Sequence, residues 1–155
     1  MRNPLSAKDI VSGQEGTAFM NINGRNVDMF YLKSIDTTVT MEKASVKTLG
    51  RRGEQHKTIG WSGSGSMTVF AVTSEFIEIA LDYIKNGRVT YFDIKTTNED
   101  PNSSIGRQSV LIRDVTLDEI PLSILDTESD FLEQDLSFTY EDVELLEKFR
   151  TPTTR

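Results

Sequence analysis

Residues 16–42 read GTAFMNINGRNVDMFYLKSIDTTVTME, and this stretch indicates a β-hairpin. Apolar and polar residues alternate on both sides of Asn23-Gly24, a dipeptide that readily adopts the positive φ values of a tight turn. We predict a first strand over 16–22 and a long second strand over 27–42. The second strand has one polar face, which we expect to contact water. This face carries Ser34, Asp36, Thr38 and Thr40.

Residues 61–71 (WSGSGSMTVFA) predict a third strand that also has one apolar and one polar face. Trp61 and Met67 belong to its apolar face. Gly63 and Gly65 fall among the same positions, which indicates a bend or the close approach of another backbone. The polar face of this strand carries Ser62, Ser64, Ser66 and Thr68.

The rest of the chain predicts one helix and further strands. Residues 74–86 are typical of an amphipathic helix, because Ser74 can cap its start and Gly87 can adopt the left-handed conformation at its end. The segment 141–149 (EDVELLEKF) is compatible with a short helix or an extended arm, and 151–155 with a frayed tail. Further strands are predicted over 89–97, 109–117 and 136–140. The sequence is therefore β-rich, with one helix docked on a sheet.

Residues 43–60 contain few apolar side chains and carry the basic motifs GRRG (50–53) and HK (56–57). We predict a long, basic loop, and loops of this length usually bind something. Nucleic acid, a phosphate or an acidic protein surface would each suit these cations. An acidic stretch at 126–135 and a net charge of -7 favour a protein partner, because copies of such a chain can join head to tail.

Composition excludes several classes of protein. A chain of 155 residues has the usual size of one domain. The absence of cysteine excludes disulfide scaffolds and thiolate zinc sites, and it is compatible with a reducing cytosol. No apolar run approaches the length that a membrane-spanning helix needs, so we expect no direct membrane anchoring. The acidic net charge argues against a broad surface that binds DNA phosphates.

The sequence contains no set of residues that indicates catalysis. His56 is the sole histidine, and its place between Gln55 and Lys57 is typical of a solvent-exposed residue rather than a catalytic base. The carboxylates of 126–135 lack the spacing of a calcium loop, and 60–65 (GWSGSG) lacks the lysine of a phosphate-binding loop. We therefore predict no enzymatic activity, no cofactor and no metal site.

Several short motifs follow one another in a specific order along the chain. They are Ile10-Val11-Ser12-Gly13 and Glu15-Gly16 near the start, Gly50-Arg51-Arg52 and His56-Lys57-Thr58 in the loop, Val72-Thr73-Ser74 with Phe76 at the helix start, Asp82-Tyr83 with Lys85 and Gly87 at its end, and Phe138-Thr139 with Glu141-Asp142. In order and spacing they resemble the tail-tube (core tail) proteins of PBSX-like phages and related contractile particles. The resemblance extends over about residues 10–145.

This resemblance implies a mainly β fold, an antiparallel β-sandwich or barrel with one flanking α-helix and a long extended loop. It implies a single domain over 1–155, with an N-terminal arm at 1–12, an inter-ring loop at 43–60 and a C-terminal tail at 146–155. The chain would form hexameric rings that stack into the inner tube of a contractile phage tail or a phage-tail-like bacteriocin. The channel would serve DNA passage or membrane puncture.

The implied partners are other copies of the chain, a tail sheath protein, and baseplate and tail-terminator proteins, and DNA would pass without specific binding. The tube would belong to a virion tail or phage-tail-like particle assembled in the bacterial cytoplasm. Inter-ring contacts are expected at Leu49, Gly50, Arg51, Arg52, His56, Lys57 and Thr58. Candidates for the channel wall are Ser34, Asp36, Thr38, Thr40, Ser62, Ser64, Ser66 and Thr68. A secreted type VI-like hexameric ring is the first alternative, and a small β-barrel enzyme, supported only by unassigned carboxylates, is the second.

Overall fold

The computed structural model describes residues 4–151, and within them the chain forms eight β-strands and one α-helix. No helix in this part of the chain is long and apolar enough to cross a membrane. Two single-turn 3-10 helices, Ala7–Asp9 and Gly13–Glu15, precede the first strand. The main elements are β1 (Gly16–Ile22), β2 (Arg25–Asp28), β3 (Leu32–Val46), β4 (Gln55–Phe70), α1 (Glu75–Asn86), β5 (Phe92–Glu99), β6 (Arg107–Glu119), β7 (Glu133–Tyr140) and β8 (Asp142–Glu147).

The strands pair antiparallel throughout and form two sheets that share β6, which confirms the predicted fold class. The first sheet has the order β2-β1-β5-β6-β8, and the second has the order β6-β7-β4-β3. Residues 109–113 of β6 pair with β8, and residues 116–119 pair with β7. Asp114 lies between these two parts with a φ of 55°, at a shift in the register with β5. Such a bulge bends a strand, so β6 can pass from one sheet to the other.

One hydrophobic core lies between the two sheets and the helix. Within it, the rings of Phe138 and Tyr140 lie over Gly65 and Gly63 of β4, where an added Cβ would overlap them. The expected close approach at these glycines is thus made by aromatic rings of β7. The hydroxyl of Tyr140 also reaches across β4 and donates to the carbonyl oxygen of Thr38 at 2.6 Å. The buried core residues are Ala18, Met20, Ile22, Met29, Tyr31, Met67, Val69, Phe76, Phe92, Ile94, Ile112, Val115, Leu136, Phe138 and Tyr140.

The hairpin turn is confirmed, because Asn23 and Gly24 have φ values of 51° and 78° between β1 and β2. The prediction of one strand over 27–42 is wrong. β2 ends at Asp28 and pairs with β1, whereas β3 begins at Leu32 and pairs with β4 in the other sheet. Alternation continues through the break because Met29 and Tyr31 are buried in the core while Phe30 between them is exposed.

The predicted loop over 43–60 is also wrong in extent. β3 continues to Val46 and β4 begins at Gln55, so the connection spans only 47–54. A register shift between Glu42 and Lys43 interrupts the pairing of the two strands without ending it. Weak apolar patterning misled the prediction, because a two-stranded ribbon with solvent on both sides need not alternate.

Most of the other predicted elements are present with different ends. β5, β6 and β7 replace the predictions 89–97, 109–117 and 136–140, and β8 decides the open question at 141–149 in favour of a strand. The helix ends at Gly87 in the left-handed conformation, as predicted, with a φ of 70°. At its start the oxygen Oγ1 of Thr73, and not Ser74, accepts a hydrogen bond from the backbone N–H of Glu75.

Residues near both ends of the described part of the chain lie beside the connection between β5 and β6. In the predicted N-terminal arm, Asp9 is buried and accepts hydrogen bonds from the backbone N–H and the hydroxyl of Ser104, at 3.1 and 2.6 Å. In the predicted C-terminal tail, the backbone N–H of Arg150 donates to the carbonyl oxygen of Ile105. The predictions for 1–3 and 152–155 lie outside the described residues.

Candidate channel wall and intersubunit arm

The predicted channel residues lie together on one face of β3 and β4. Their register pairs are Ser34 with Thr68, Asp36 with Ser66, Thr38 with Ser64, and Thr40 with Ser62. Thr68 is half-buried, and the others are exposed. A register shift after Leu32 makes Lys33 an extra residue in β3. Because of this bulge, Leu32 packs against the core while Ser34 faces solvent.

The same polar face continues across β7 and β6, which sequence analysis missed. Asp135 accepts a hydrogen bond from the hydroxyl of Thr68 at 2.8 Å, and the hydroxyls of Thr116 and Thr139 lie 3.2 Å apart. Ser137 lies opposite Ser66. The alternation in β7 could have found three of these residues, but only the register joins them to β4. We call the whole set the hydroxyl face: Ser34, Asp36, Thr38, Thr40, Ser62, Ser64, Ser66, Thr68, Thr116, Asp135, Ser137 and Thr139.

The hydroxyl face bears carboxylates but no cation. Its charged members are Asp36 and Asp135. At its margin the ammonium group of Lys33 is paired with Glu133 at 2.8 Å, so this cation is already balanced. A surface of this composition cannot bind nucleic acid by neutralising phosphates.

The end of the β3–β4 hairpin projects beyond the second sheet. β7 pairs with β4 only from Gly63 to Phe70, so within residues 4–151 the segment 40–62 pairs only with itself. At about 3.3 Å per residue this arm extends roughly 25–30 Å past the sheet. A two-stranded ribbon alone is only marginally stable in water. Within residues 4–151, no third strand supports the arm.

The predicted inter-ring residues occupy two places on the arm. Leu49, Gly50, Arg51 and Arg52 lie together at its tip, where Leu49 is fully exposed and Gly50 has a φ of 82°. The structure does not bring the others to the tip. His56, Lys57 and Thr58 are exposed residues of β4 that pair with residues 43–45.

The arm also has an apolar side, which includes Trp61 of the apolar face predicted for the third strand. Met41 and Trp61 form a register pair there, and they are 55% and 46% exposed. Val39, one step closer to the sheet, is also exposed. These side chains lack cover because the first sheet does not extend over the arm. Contiguous exposed apolar side chains of this kind usually mark a binding surface.

Opposite charges lie near the two ends of β4. At the tip, Arg51 and Arg52 lie within ion-pair distance of no carboxylate among residues 4–151. At the other end, which we call the base, the backbone N–H of Ala71 donates to the carbonyl oxygen of Leu132, so the acidic segment 126–130 lies there. β4 has 16 residues, which separates tip and base by about 50 Å.

A family described as phage tail tube protein matches residues 3–147. The protein XkdM of the phage-like element PBSX of Bacillus subtilis (strain 168) is 35% identical over 144 residues, covering 93% of this chain and 95% of XkdM. This chain belongs to the phage tail tube protein family. Membership confirms the resemblance inferred from the sequence motifs. It also makes the chain a structural component of a phage or phage-like tail, as expected, and not an enzyme.

Solved structures share the tail tube fold at low sequence identity. A chain of the anti-feeding prophage baseplate, a six-fold symmetrised structure, superposes with a TM-score of 0.64 at 12% identity, covering 94% of this chain and 97% of that one. A chain of the sheath–tube complex of an extracellular contractile injection system superposes with a TM-score of 0.59 at 12% identity, covering 83% and 86%. These similarities support the fold, and the family assignment rests on the sequence matches.

Two tyrosines of this tail tube protein have raised pKa values, mainly because they are buried. Burial raises the pKa of Tyr140, and burial together with Glu75 and Asp28 raises the pKa of Tyr31 to about 12. Both tyrosines belong to the core and not to the hydroxyl face or the arm. Among residues 4–151, no three histidine, cysteine or acidic side chains are grouped closely enough to hold a metal ion.

Proposed function

We propose that six copies of this chain close into a ring and that these rings stack into the inner tube of a contractile tail or phage-tail-like particle. The observation that carries the proposal is the hydroxyl face, a polar wall whose reverse side is the hydrophobic core. Likeness in fold to a chain of a six-fold symmetrised baseplate supports the number of copies. The family match favours this tube over a secreted type VI-like ring.

Free strand edges provide the means of closing the ring. Within residues 4–151, β3 pairs only with β4 in the second sheet, and residues 116–119 of β6 pair only with β7. The sheet therefore has an unpaired edge on each side. Pairing β3 of one copy with β6 of the next would remove both edges, as closure does in barrels. The hydroxyl faces would then line one continuous channel.

The composition of this channel wall suits the passage of DNA. Small hydroxyl side chains leave the channel wide, and Asp36 and Asp135 repel phosphates weakly from every side. DNA would therefore slide without specific binding, whether the particle is a complete phage or uses its tube for puncture.

Stacking of the rings is assigned to the arm. The cationic tip of one copy and the acidic base of another are complementary, and they lie at opposite ends of the same strand. Contacts between two different surfaces of identical copies propagate when rotation does not close them, so they build a filament of rings.

The proposed tube also implies partners, a domain organisation and a place of assembly. Likeness to a chain of a sheath–tube complex supports a tail sheath as the partner of the outer surface, with baseplate and terminator proteins at the two tube ends. We assign the chain to one domain, because a single core joins residues from Ala18 to Tyr140. Assembly in the bacterial cytoplasm is compatible with a chain that lacks cysteine.

Electron microscopy of the purified protein tests this function directly. We expect negative staining to show hollow rods with six-fold end views, formed in a concentration-dependent way. A reconstruction should place Thr38 and Ser64 at the channel surface. Protein that remains monomeric at high concentration would contradict the tube, and a reconstruction that buries these two side chains between copies would contradict the channel assignment alone.

Trp61 provides a second test, because it is the sole tryptophan and lies on the exposed apolar side of the arm. On assembly a neighbouring copy should exclude water from this indole. We expect its fluorescence emission to shift to shorter wavelength and its quenching by iodide to decrease. The same sample diluted below the assembly concentration is the control. An unchanged spectrum in rods seen by microscopy would show that the apolar side of the arm remains in solvent.

A further inference from the structure

An apolar groove lies between α1 and the end of β6. Ile79, Ala80 and Ile84 line one side of it, and Leu117, Ile120 and Leu122 line the other. Its volume is about 370 Å³, within the range of protein binding pockets. No side chain among residues 4–151 fills it.

The helix exposes more apolar surface than its own sheet covers. Only Phe76 is fully buried, whereas Leu81 and Ile84 are 41% and 61% exposed. An amphipathic helix normally turns its apolar stripe toward a core. The uncovered part of α1 therefore indicates an apolar occupant from another molecule.

The tip of the arm combines an exposed apolar side chain with positive charge. Leu49 is fully exposed at the turn, and Lys47, Arg51 and Arg52 surround it in sequence. Asp118 in the groove lining and its neighbour Glu119 carry exposed carboxylates, whereas Arg88 is the one cation in the lining. In a stacked copy, an apolar side chain among cations would thus meet an apolar groove whose margin has two carboxylates and one guanidinium group.

The position of the groove allows this contact only between copies. Phe76 packs edge to face against Tyr31, whose carbonyl oxygen accepts a hydrogen bond from the N–H of Phe70 at the base end of β4. α1 therefore lies at the base, and the arm tip lies about 50 Å away at the other end of the strand. A second copy displaced along β4 brings its tip to the base of the first.

From these observations we propose that Leu49 of one copy packs into the α1–β6 groove of a copy in the adjacent ring. This inference rests on the proposed tube and names the surface that receives the arm. The occupant is a second copy of this chain, because its tip supplies both the apolar side chain and the complementary charge.

Disulfide cross-linking tests the contact, since the chain contains no cysteine of its own. The double variant Leu49→Cys/Ile84→Cys is assembled and oxidised, with Leu49→Cys/Leu145→Cys as the control, because Leu145 on β8 is similarly exposed. We expect a ladder of covalent multimers on non-reducing gels from the first variant only. Rods without a ladder from the first variant, or equal ladders from both, would overturn the groove assignment while leaving the tube intact.

A second pair of variants covers the case in which cysteine at the tip prevents assembly. Leu49→Asp and Ile84→Asp should each reduce rod mass at least tenfold in sedimentation, with unchanged circular dichroism, whereas Leu145→Asp should not. Rods of normal yield from Leu49→Asp would overturn the proposal. If the unaltered chain itself forms no rods, the proposed tube fails first and independently of the groove.

Discussion

Rods of the double variant Arg51→Glu/Arg52→Glu are expected to be at least tenfold shorter than those of the unaltered chain at physiological ionic strength. Both guanidinium groups are exposed at the arm tip and have no carboxylate partner within residues 4–151. A single exposed ion pair contributes only about 0.5 kcal/mol. A six-fold ring would make the contact many times at once, which raises the effect to on the order of 6 kcal/mol per ring junction.

The matched control reverses two charges elsewhere. Lys8→Glu/Lys148→Glu produces the same net charge at two exposed positions away from the arm, so it separates local contacts from general repulsion. Thermal unfolding should change little in either variant, because surface charges rarely alter stability by more than about 0.5 kcal/mol. Added salt should shorten the rods of the unaltered chain by screening. Rods of normal length from the arginine variant would show that the arm tip is not part of the stacking interface.

Replacing Gly63 by valine should destabilise the folded chain by about 2–4 kcal/mol. An added side chain at this position overlaps the ring of Tyr140. Overpacking of a core accounts for most of the expected loss, and displacement of the ring also breaks the 2.6 Å hydrogen bond from Tyr140 to the carbonyl oxygen of Thr38. The measurement is urea unfolding at a concentration too low for assembly, followed by circular dichroism.

Gly53→Val is the control for this substitution. A Cβ at Gly53 meets no atom within 4 Å, and its backbone does not adopt positive φ. The change in unfolding free energy should stay below about 0.5 kcal/mol. Equal losses at Gly53 and Gly63 would show that valine acts through the backbone and not through the ring of Tyr140.

Local chemistry made some features predictable. Asn23-Gly24 encodes a tight turn because these two residues tolerate positive φ, and Gly87 ends the helix for the same reason. The alternation of β3 and β4 placed the predicted channel residues on one face before any neighbour was known. Bulges have no comparable signature, so the reversal of facing at Lys33 could not be predicted.

The arm shows most clearly what the alternation of apolar and polar residues cannot predict. Val39, Met41 and Trp61 have the alternation of core residues, yet they remain exposed because no strand of the first sheet reaches them. In the opposite direction, residues 43–46 and 55–58 have too little alternation to indicate strands, although they pair with each other. Whether an apolar residue is buried depends on segments that are distant in the chain. The local sequence does not indicate where those segments end.

The sequence by itself determined the β-rich class, the helix, the turn, the membership in a tail tube family and the polar character of one strand face. These properties depend on backbone preferences and on the period of two residues along a strand. Only the tertiary structure decided that four strands join into one hydroxyl face, that the basic segment is the tip of a projecting ribbon, and that tip and base lie at opposite ends. Register, bulges and the extent of each sheet arise from packing between segments far apart in the chain, and that is the physical reason the sequence alone could not supply them.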